Sequence, residues 1–489
     1  MPDAQGPNHV NPEEFRRLAH RLIDEIADYY GALETNTVRP DARPGDLLAK
    51  LPPSPPDTAS EAEWDAIFDD LRELIIPSLT HWQHPGFFAY FPCNASGPAI
   101  LAELLSAALN VNGMLWATSP AVTELETRML DWCAELFGLP DEFRTQGDEP
   151  RGCIQGTASE ATLVALLAAR QRLRAKGIDG PLAIYTSTQA HSSVAKAAMI
   201  AGIASGPDDT KHVRLVDTDT DGAMNPEHLA WLIAEDAAGN ARPTPAAVVA
   251  TCGTTGLGAF DPIPAIADAI KERAWLHIDA AWAGPAAACP EHRAILDGVD
   301  RADSLCINPH KWMLTNFDCD LFWTTDPKTL VKALSITPEY LRNAATDTGV
   351  ATDYRDWGVP LGRRFRALKL WFVLRHYGVE GVRAHVRQHV EWAKWLESKL
   401  STDPRFELAA PRSLSLVTFR RNAGDDATRE LMERLNATGD FLLSHTTHRI
   451  DGTQRYVIRV AIGATTTERR HVEALWSAID DATLPTGSS

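Results

Sequence analysis

Apolar positions recur at helical spacing through the first 80 residues of the chain. Residues 11–35 and 60–80 both carry this period, the second in "EWDAIFDDLRELIIPSL". Between them "LPPSPPDTAS" reads as a proline-rich loop. The next stretch, "HWQHPGFFAYFPCNASGP", is aromatic and proline-rich and follows no period, which suits a connector with a role of its own. "PAVTELETRMLDWCAELFGLP" is an amphipathic helix that stops at Gly138-Leu139-Pro140.

From about residue 150 the pattern changes to short β-branched runs alternating with helical ones. "PLAIYTST" precedes "HSSVAKAAMIAG", "HVRLVDTD" precedes "NPEHLAWLIAEDAAG", and "AAVVATCGTT" precedes "DPIPAIADAIKERA"; "WLHIDAAW" and "SLCIN" follow. This alternation predicts a mostly parallel sheet covered by helices. Ligands of such sheets lie beyond the C-terminal strand ends. Residues 335–352, "SITPEYLRNAATDTGVAT", lack a period and read as a long loop, either functional or disordered. Helices return from "RFRALKLWFVLRHYG", and "FELAAP", "LSLVTFRR" and "RYVIRVAIG" point to a small α+β domain. The tail "LPTGSS" reads as disordered, and no internal repeat is present.

At 489 residues the chain is long enough for two or three domains. Lys and Arg number 47 against 65 Asp and Glu, a formal net charge of −18, which argues against nucleic acid and anionic membranes as partners. Seven scattered cysteines show no CxxC spacing, so reduced thiols in a cytoplasmic protein fit better than a disulfide framework or a zinc knuckle. The N-terminal residues lack the charged-then-apolar order of a signal peptide. The longest apolar run, near 161–169, is far short of the ~20 residues of a membrane span.

Four features collect at the strand ends. Gly156-Thr157-Ala158-Ser159 stands directly before a helix, which is either an ordinary N-cap or an anion site suited to phosphate. His191, in "TQAHSS", is either a structural hydrogen-bonder or a functional imidazole. Asp279, in "HIDAAWAG", ends an apolar strand and needs a partner, because an unpaired buried carboxylate is costly. Lys311, in "SLCINPHKWML" with Asn308 and His310, is either a snorkelling lysine or a buried amine with a partner. Together they meet the needs of pyridoxal 5′-phosphate (PLP). Its phosphate suits the helix start, its pyridine nitrogen a carboxylate, its ring a flat imidazole, and its aldehyde a lysine whose pKa falls when desolvated.

The motifs "HPGFFAYFP", "SPAVTELETRMLDW", "IQGTASEATLVALLAAR", "QAHSSV", "HIDAAWAG", "NPHKW", "NFDCD" and "DYRDWGVPLGRRFRALKLWFVLR" occur in that order. In them the chain resembles group II PLP-dependent decarboxylases, most closely the aromatic-L-amino-acid decarboxylases, from about residue 10 to about 475. The resemblance implies an α/β fold, the PLP-dependent transferase fold type I. That is a mostly parallel seven-stranded sheet with helices on both faces, an N-terminal helical segment and a small C-terminal α+β domain. It implies a division at 1–95, 96–368 and 369–489. It also implies a homodimer with active sites at the interface.

By the same resemblance Lys311 would carry PLP as a covalent aldimine. Asp279 would pair with the pyridinium nitrogen, Ala281 would pack under the ring, and His191 would stack above it. Ala158, Ser159 and Asn308 would hold the phosphate, with Thr157 and His310 nearby and Thr255 close to the cofactor. Tyr340 matches the tyrosine of the catalytic loop. Trp82, Tyr90, Phe91 and Pro92 would wall the substrate pocket, and Gly362 would leave room for an indole. Cys93 stands where animal enzymes of the family carry threonine. Asn112 and Met114 replace an apolar pair expected from the neighbouring subunit, and Asn112 is either a specificity determinant or satisfied by backbone.

The expected reaction is decarboxylation of an L-aromatic amino acid of the tryptophan, tyrosine, phenylalanine or Dopa class. Alternatives on the same fold are another amino-acid decarboxylase or an aromatic aldehyde synthase. An acidic substrate would call for arginines in 81–95, which has none. A non-catalytic binding protein would have no need of both Lys311 and Asp279. A dinucleotide-dependent oxidoreductase would need a GxGxxG that "GTTGLGAF" does not supply.

Overall fold

The computed structural model describes residues 10–56, 63–238, 242–336 and 351–483. Tyr340, most of the 335–352 segment and the tail 484–489 lie outside the described residues. The first helix spans Pro12–Ala32. Asn11 caps it by accepting the N–H groups of Glu13 and Glu14, and Pro12 occupies a first-turn position that needs no donor. The helix expected over 60–80 is shorter in its regular part. It is α-helical over Glu63–Asp70, widens through Leu71–Ile75 and tightens at Ile76–Ser78, where Pro77 cannot continue the ladder.

The large sheet contains β1 (Gly152–Gln155), β2 (Leu182–Ser187), β3 (Val213–Val216), β4 (Thr244–Thr251), β5 (Trp275–Asp279), β6 (Ser304–Ile307) and β7 (Asp320–Thr324). Their order is β1-β7-β6-β5-β4-β2-β3. The pairs β2–β3, β2–β4, β4–β5 and β5–β6 are parallel, while β7 runs antiparallel to both β6 and β1. Both faces are covered. On β4, Ala247 and Val249 pack with Val164 of the helix Ala158–Ala175, and Val248 and Ala250 pack with Leu229 and Ile266 on the other side. Burial on both faces is why this strand reads as a continuous apolar run.

A second, antiparallel sheet contains β8 (Phe406–Leu408), β9 (Leu416–Arg421), β10 (Ser444–Ile450) and β11 (Thr453–Ala461), in the order β10-β11-β9-β8. Its hairpin turns through Asp451 and Gly452, both at positive φ. The helix Arg366–Thr402 links the sheets and is broken at Gly378, whose φ of 64° suits glycine. Beyond the break Ala393, Leu396 and Leu400 pack on Val417, Phe419 and Ile458 of the second sheet. The aromatic connector threads between the two sheets. The Phe88 N–H donates to Leu442 O, and the Ala461 N–H donates to Phe88 O, both at 2.9 Å. No helix among the described residues is long and apolar enough to cross a membrane.

Candidate active site

The C-terminal ends of the parallel strands open into a cleft of about 1280 Å³ lined by Trp82, Tyr90, Phe91, His191, Thr255 and Lys311, together with Gln189, Trp282 and Arg459. Lys311 lies in the single helical turn Pro309–Trp312. Trp312 and Met313 beside it are fully buried, whereas Lys311 is only half-buried. The apolar neighbours therefore anchor the turn and leave the amine facing the cleft. The Asn94 N–H donates to His310 O at 2.7 Å, and Asn94 Oδ1 accepts the Leu314 N–H at 2.9 Å. Trp312 Nε1 donates to His389 Nδ1 at 2.9 Å, with the two rings parallel to within 1°.

His191 follows β2. Its Nδ1 accepts the backbone N–H of Ser193 at 3.1 Å and lies 2.8 Å from the Ser193 hydroxyl. A backbone N–H can only donate, so the neutral ring carries its proton on Nε2. Burial pushes the His191 pKa down, the field of Lys311 adds to this, and Asp279 opposes it. Asp279 ends β5 at 5% exposure, and its Oδ1 accepts the Ala281 N–H at 3.0 Å. Thr255 follows β4 in a turn where Gly253, at φ 90°, packs against the Trp282 indole; any Cβ there would lie 2.7 Å from Trp282 Nε1. Trp282 Nε1 donates to Gly253 O at 2.6 Å.

The helix Ala158–Ala175 starts directly beyond β1. The Thr157 side chain makes no capping hydrogen bond, and the Ala158 and Ser159 N–H groups have no partner among the described residues. Asn308, 2% exposed, has an Oδ1 without a hydrogen-bond partner. His310 Nδ1 lies 2.7 Å from Cys319 O, and burial, aided by Lys311, pushes its pKa down to about 3. Glu160 Oε2 accepts the Gly156 N–H at 3.0 Å, and Arg366 pairs with Asp318 nearby at 2.9 Å.

The aromatic wall is continuous. Trp82 stacks on Tyr90 with centroids 5.7 Å apart, and Phe91 lies 5.0 Å from Trp282 and 5.6 Å from Trp312. Pro92 packs beside Gly463. Burial raises the Cys93 thiol pKa while Lys311 pulls it down. Arg459, missed in the sequence reading, donates to Gly256 O, Ser444 Oγ and Tyr90 O at 2.9, 2.8 and 3.1 Å. Burial lowers its pKa to about 10. Asn112, Met114 and Gly362 do not line this cleft. They gather elsewhere on the chain, where Asn112 Oδ1 accepts the Arg363 N–H at 3.0 Å and Met114 O accepts the Arg355 N–H at 3.1 Å.

The family model of the pyridoxal-dependent decarboxylase conserved domain matches residues 44–422. The chain belongs to that family. This decarboxylase is 43% identical to tryptophan decarboxylase 2 of Oryza sativa subsp. japonica, over 98% of this chain and 96% of the relative. It is also 43% identical to phenylacetaldehyde synthase of Arabidopsis thaliana, over 96% of each. The crystal structure of Oryza sativa TDC with PLP and tryptamine superposes with a TM-score of 0.92 at 40% identity, covering 98% of this chain and 99% of that one. The fold is thus fold type I, and the decarboxylase depends on PLP, as its motifs imply. The residues present fit that cofactor: the Ala158 and Ser159 N–H groups, without partners among the described residues, suit an anion, the buried Asn308 amide keeps an unpaired Oδ1, and the charges of Lys311 and Asp279 both act on His191.

Proposed function

We infer that this decarboxylase removes CO2 from an L-aromatic amino acid and releases the corresponding arylalkylamine. The observation that carries the reading is that Lys311 and His191 share one cleft walled by Trp82, Tyr90 and Phe91. Bound PLP supplies the electron sink for the pair left by CO2. Lys311 would hold the cofactor through its amine, the one primary amine lining the cleft among the described residues. Asp279 would keep the pyridine nitrogen protonated, and Ala281 and His191 would hold the ring between them, with the His191 Nε2–H as a donor. Ala158, Ser159 and Asn308 would hold the phosphate with Thr157 and His310 nearby, Thr255 would lie close to the cofactor and His191, and Tyr340 would supply the proton that replaces CO2.

Trp82, Tyr90, Phe91, Pro92 and Cys93 take the aromatic side chain, and Asn112, Met114 and Gly362 of a second copy complete the pocket. A homodimer is supported by the exposed Leu101, Leu104, Leu105 and Leu109 on the helix Gly97–Leu109. Free cysteines throughout support a cytoplasmic location. The chain divides at 1–95, 96–368 and 369–489, the last boundary falling at the start of the helix that joins the two sheets.

The test is incubation of the PLP-loaded protein with L-tryptophan, L-tyrosine, L-phenylalanine, L-Dopa, 5-hydroxytryptophan, L-histidine and L-glutamate, with amine and aldehyde scored separately. Amine from the aromatic substrates, abolished by Lys311→Ala, is expected; turnover confined to the last two substrates would overturn the reading. The similarity to a phenylacetaldehyde synthase makes aldehyde formation the second reading. Retention of both Tyr340 and His191 favours amine, and Tyr340→Phe is expected to divert product toward aldehyde.

A further inference from the structure

One buried acid has no part in the reading above. Asp320 begins β7 at 0% exposure, and neither of its carboxyl oxygens has a hydrogen-bond partner. Its register partner on β1 is Gln155, whose Nε2 is spent on Trp357 O and Cys153 Sγ. The β6–β7 register ends in the pairs Cys306↔Phe322 and Ile307↔Leu321, and Asn308 and Asp320 are the residues that come next along the two backbones. Side chains alternate faces along a strand, so Asp320 and Asn308 share one face, as Cys306 and Phe322 do. Asn308 is itself buried with an unpaired Oδ1. Two neighbouring buried acceptors without donors are costly unless one of them carries a proton.

The charged and titratable groups around Asp320 come from every adjoining element. Asp279 on β5, Glu160 on the helix Ala158–Ala175, Lys311, and the thiols of Cys153, Cys306 and Cys319 all feel it or act on it. Burial raises its pKa well above the usual carboxylate range, Asp279 and Glu160 raise it further, and Lys311 opposes them. A neutral carboxyl offers one O–H donor, and it avoids setting a bare negative charge beside an anion site.

We propose that Asp320 is a positioning residue for the cofactor phosphate: its carboxyl proton is donated to Asn308 Oδ1, which turns Asn308 Nδ2 toward the anion at the start of the helix Ala158–Ala175. The proposal rests on the reading that Asn308 meets the phosphate. Asp320 itself touches neither substrate nor cofactor.

The full-length chain, stripped of PLP, is titrated with pyridoxamine 5′-phosphate and with pyridoxamine, and the pyridoxamine dissociation constant divided by that of pyridoxamine 5′-phosphate is the ratio that measures the phosphate contribution alone. Asp320→Leu is expected to lower that ratio about tenfold, the worth of one hydrogen bond to a charged group, with pyridoxamine affinity kept. Asp320→Asn, which has an N–H for Asn308 Oδ1, is expected to restore the ratio. The infrared difference between the unsubstituted chain and Asp320→Asn at neutral pH should show the C=O stretch of one protonated carboxyl. An unchanged ratio in Asp320→Leu, an equal loss of both ligands, or no protonated-carboxyl band overturns the proposal. Asn308→Ala separates the two readings. If it leaves the ratio unchanged, the phosphate role of Asn308 falls. If it lowers the ratio while Asp320→Leu does not, only the Asp320 role falls.

Discussion

Asn112 Oδ1 accepts the backbone N–H of Arg363 at 3.0 Å, so the side chain is held by backbone, and its Nδ2 donor has no hydrogen-bond partner among the described residues. That donor lies 3.8 Å from where a Cβ at Gly362 would stand, an ordinary contact distance. The two alternatives for Asn112 therefore combine: one end is satisfied locally and the other is available to a substrate acceptor across the proposed dimer interface. Asn112→Asp keeps the bond to Arg363 and loses the donor. It is expected to lower kcat/KM about tenfold for substrates with a ring hydroxyl relative to phenylalanine, while Asn112→Ile changes the whole aromatic ranking. A ranking identical in all three proteins would reject a substrate contact for Asn112.

The open space at Gly362 gives a second, steric prediction. Gly362→Ser meets no backbone clash, so stability should stay within about 0.5 kcal/mol. Discrimination against the larger indole should rise about tenfold relative to tyrosine. Competition assays with the two amino acids read this directly, and equal kcat/KM ratios before and after the substitution would exclude it.

Glu126 and Arg363 form a buried pair, 1% and 7% exposed, that anchors β1. Glu126 accepts the Ile154 N–H at 2.7 Å, Arg363 donates to Ile154 O at 3.1 Å, and the guanidinium lies 5.3 Å over the Tyr354 ring. Burial alone would lower the Arg363 pKa, but Glu126 outweighs it and the net shift is upward. Removing one partner leaves the other charge buried. Glu126→Ala is expected to cost about 3–5 kcal/mol in urea unfolding of the cofactor-free chain. A loss below about 1 kcal/mol would mean the pair is not a structural anchor.

Much of this was legible in sequence, for physical reasons. Strands buried on both faces, such as β4 and β5, announce themselves as apolar runs, and Lys311, Asp279 and His191 stand out because each is a polar group at the end of such a run. The shorter and more polar strands were not legible. β1 has four residues, and β10, "SHTTHRI", has several exposed positions, so neither carries a strong period. Arg459 and Asp320 were missed because their roles depend on neighbours remote in sequence: Tyr90 and Gly256 for one, Asn308 for the other. The second acid of "FDCD", next to the apolar run "LFW", was the available signal for Asp320.

Acid should destabilise this fold through its buried histidines. Burial lowers His277 and His385 to about 4 and His310 to about 3, against an ordinary value of 6.5. Between about pH 4 and 6.5 the unfolded chain binds these three protons and the native chain does not, so stability is intact above that window and falls as pH drops through it. Asp261, raised to about 7 by burial, and Asp320, raised well above the usual carboxylate range, bind protons in the native state over much of the same window and work in the opposite direction. Burial also lowers His84 to about 4 and His389 well below 6.5; five histidines less two carboxyls leave a net of about three protons, or roughly 4 kcal/mol lost per pH unit. Urea unfolding at pH 5 and pH 6 measures this slope, and His385→Gln should reduce it by about 1.4 kcal/mol per pH unit. A slope unchanged by His385→Gln would show that this ring is protonated in the native state.

Asn94 ties the Lys311 turn to both sheets. Its Nδ2 donates to Gly463 O at 2.7 Å, its Oδ1 accepts the Leu314 N–H at 2.9 Å and lies 3.2 Å from His385 Nε2, and its own N–H holds His310 O. The residue is 1% exposed, so water cannot replace these bonds. Asn94→Ala orphans the Leu314 donor and the Gly463 acceptor, an expected cost of about 2–6 kcal/mol at 1–3 kcal/mol for each buried group. Because the lost bonds flank Lys311, the change should also lower kcat at saturating PLP, where reduced cofactor affinity no longer contributes. Stability and kcat measured on the same preparation test both parts. A variant that is less stable but keeps full kcat would show that the short turn holds Lys311 in position through Trp312 and Met313 alone.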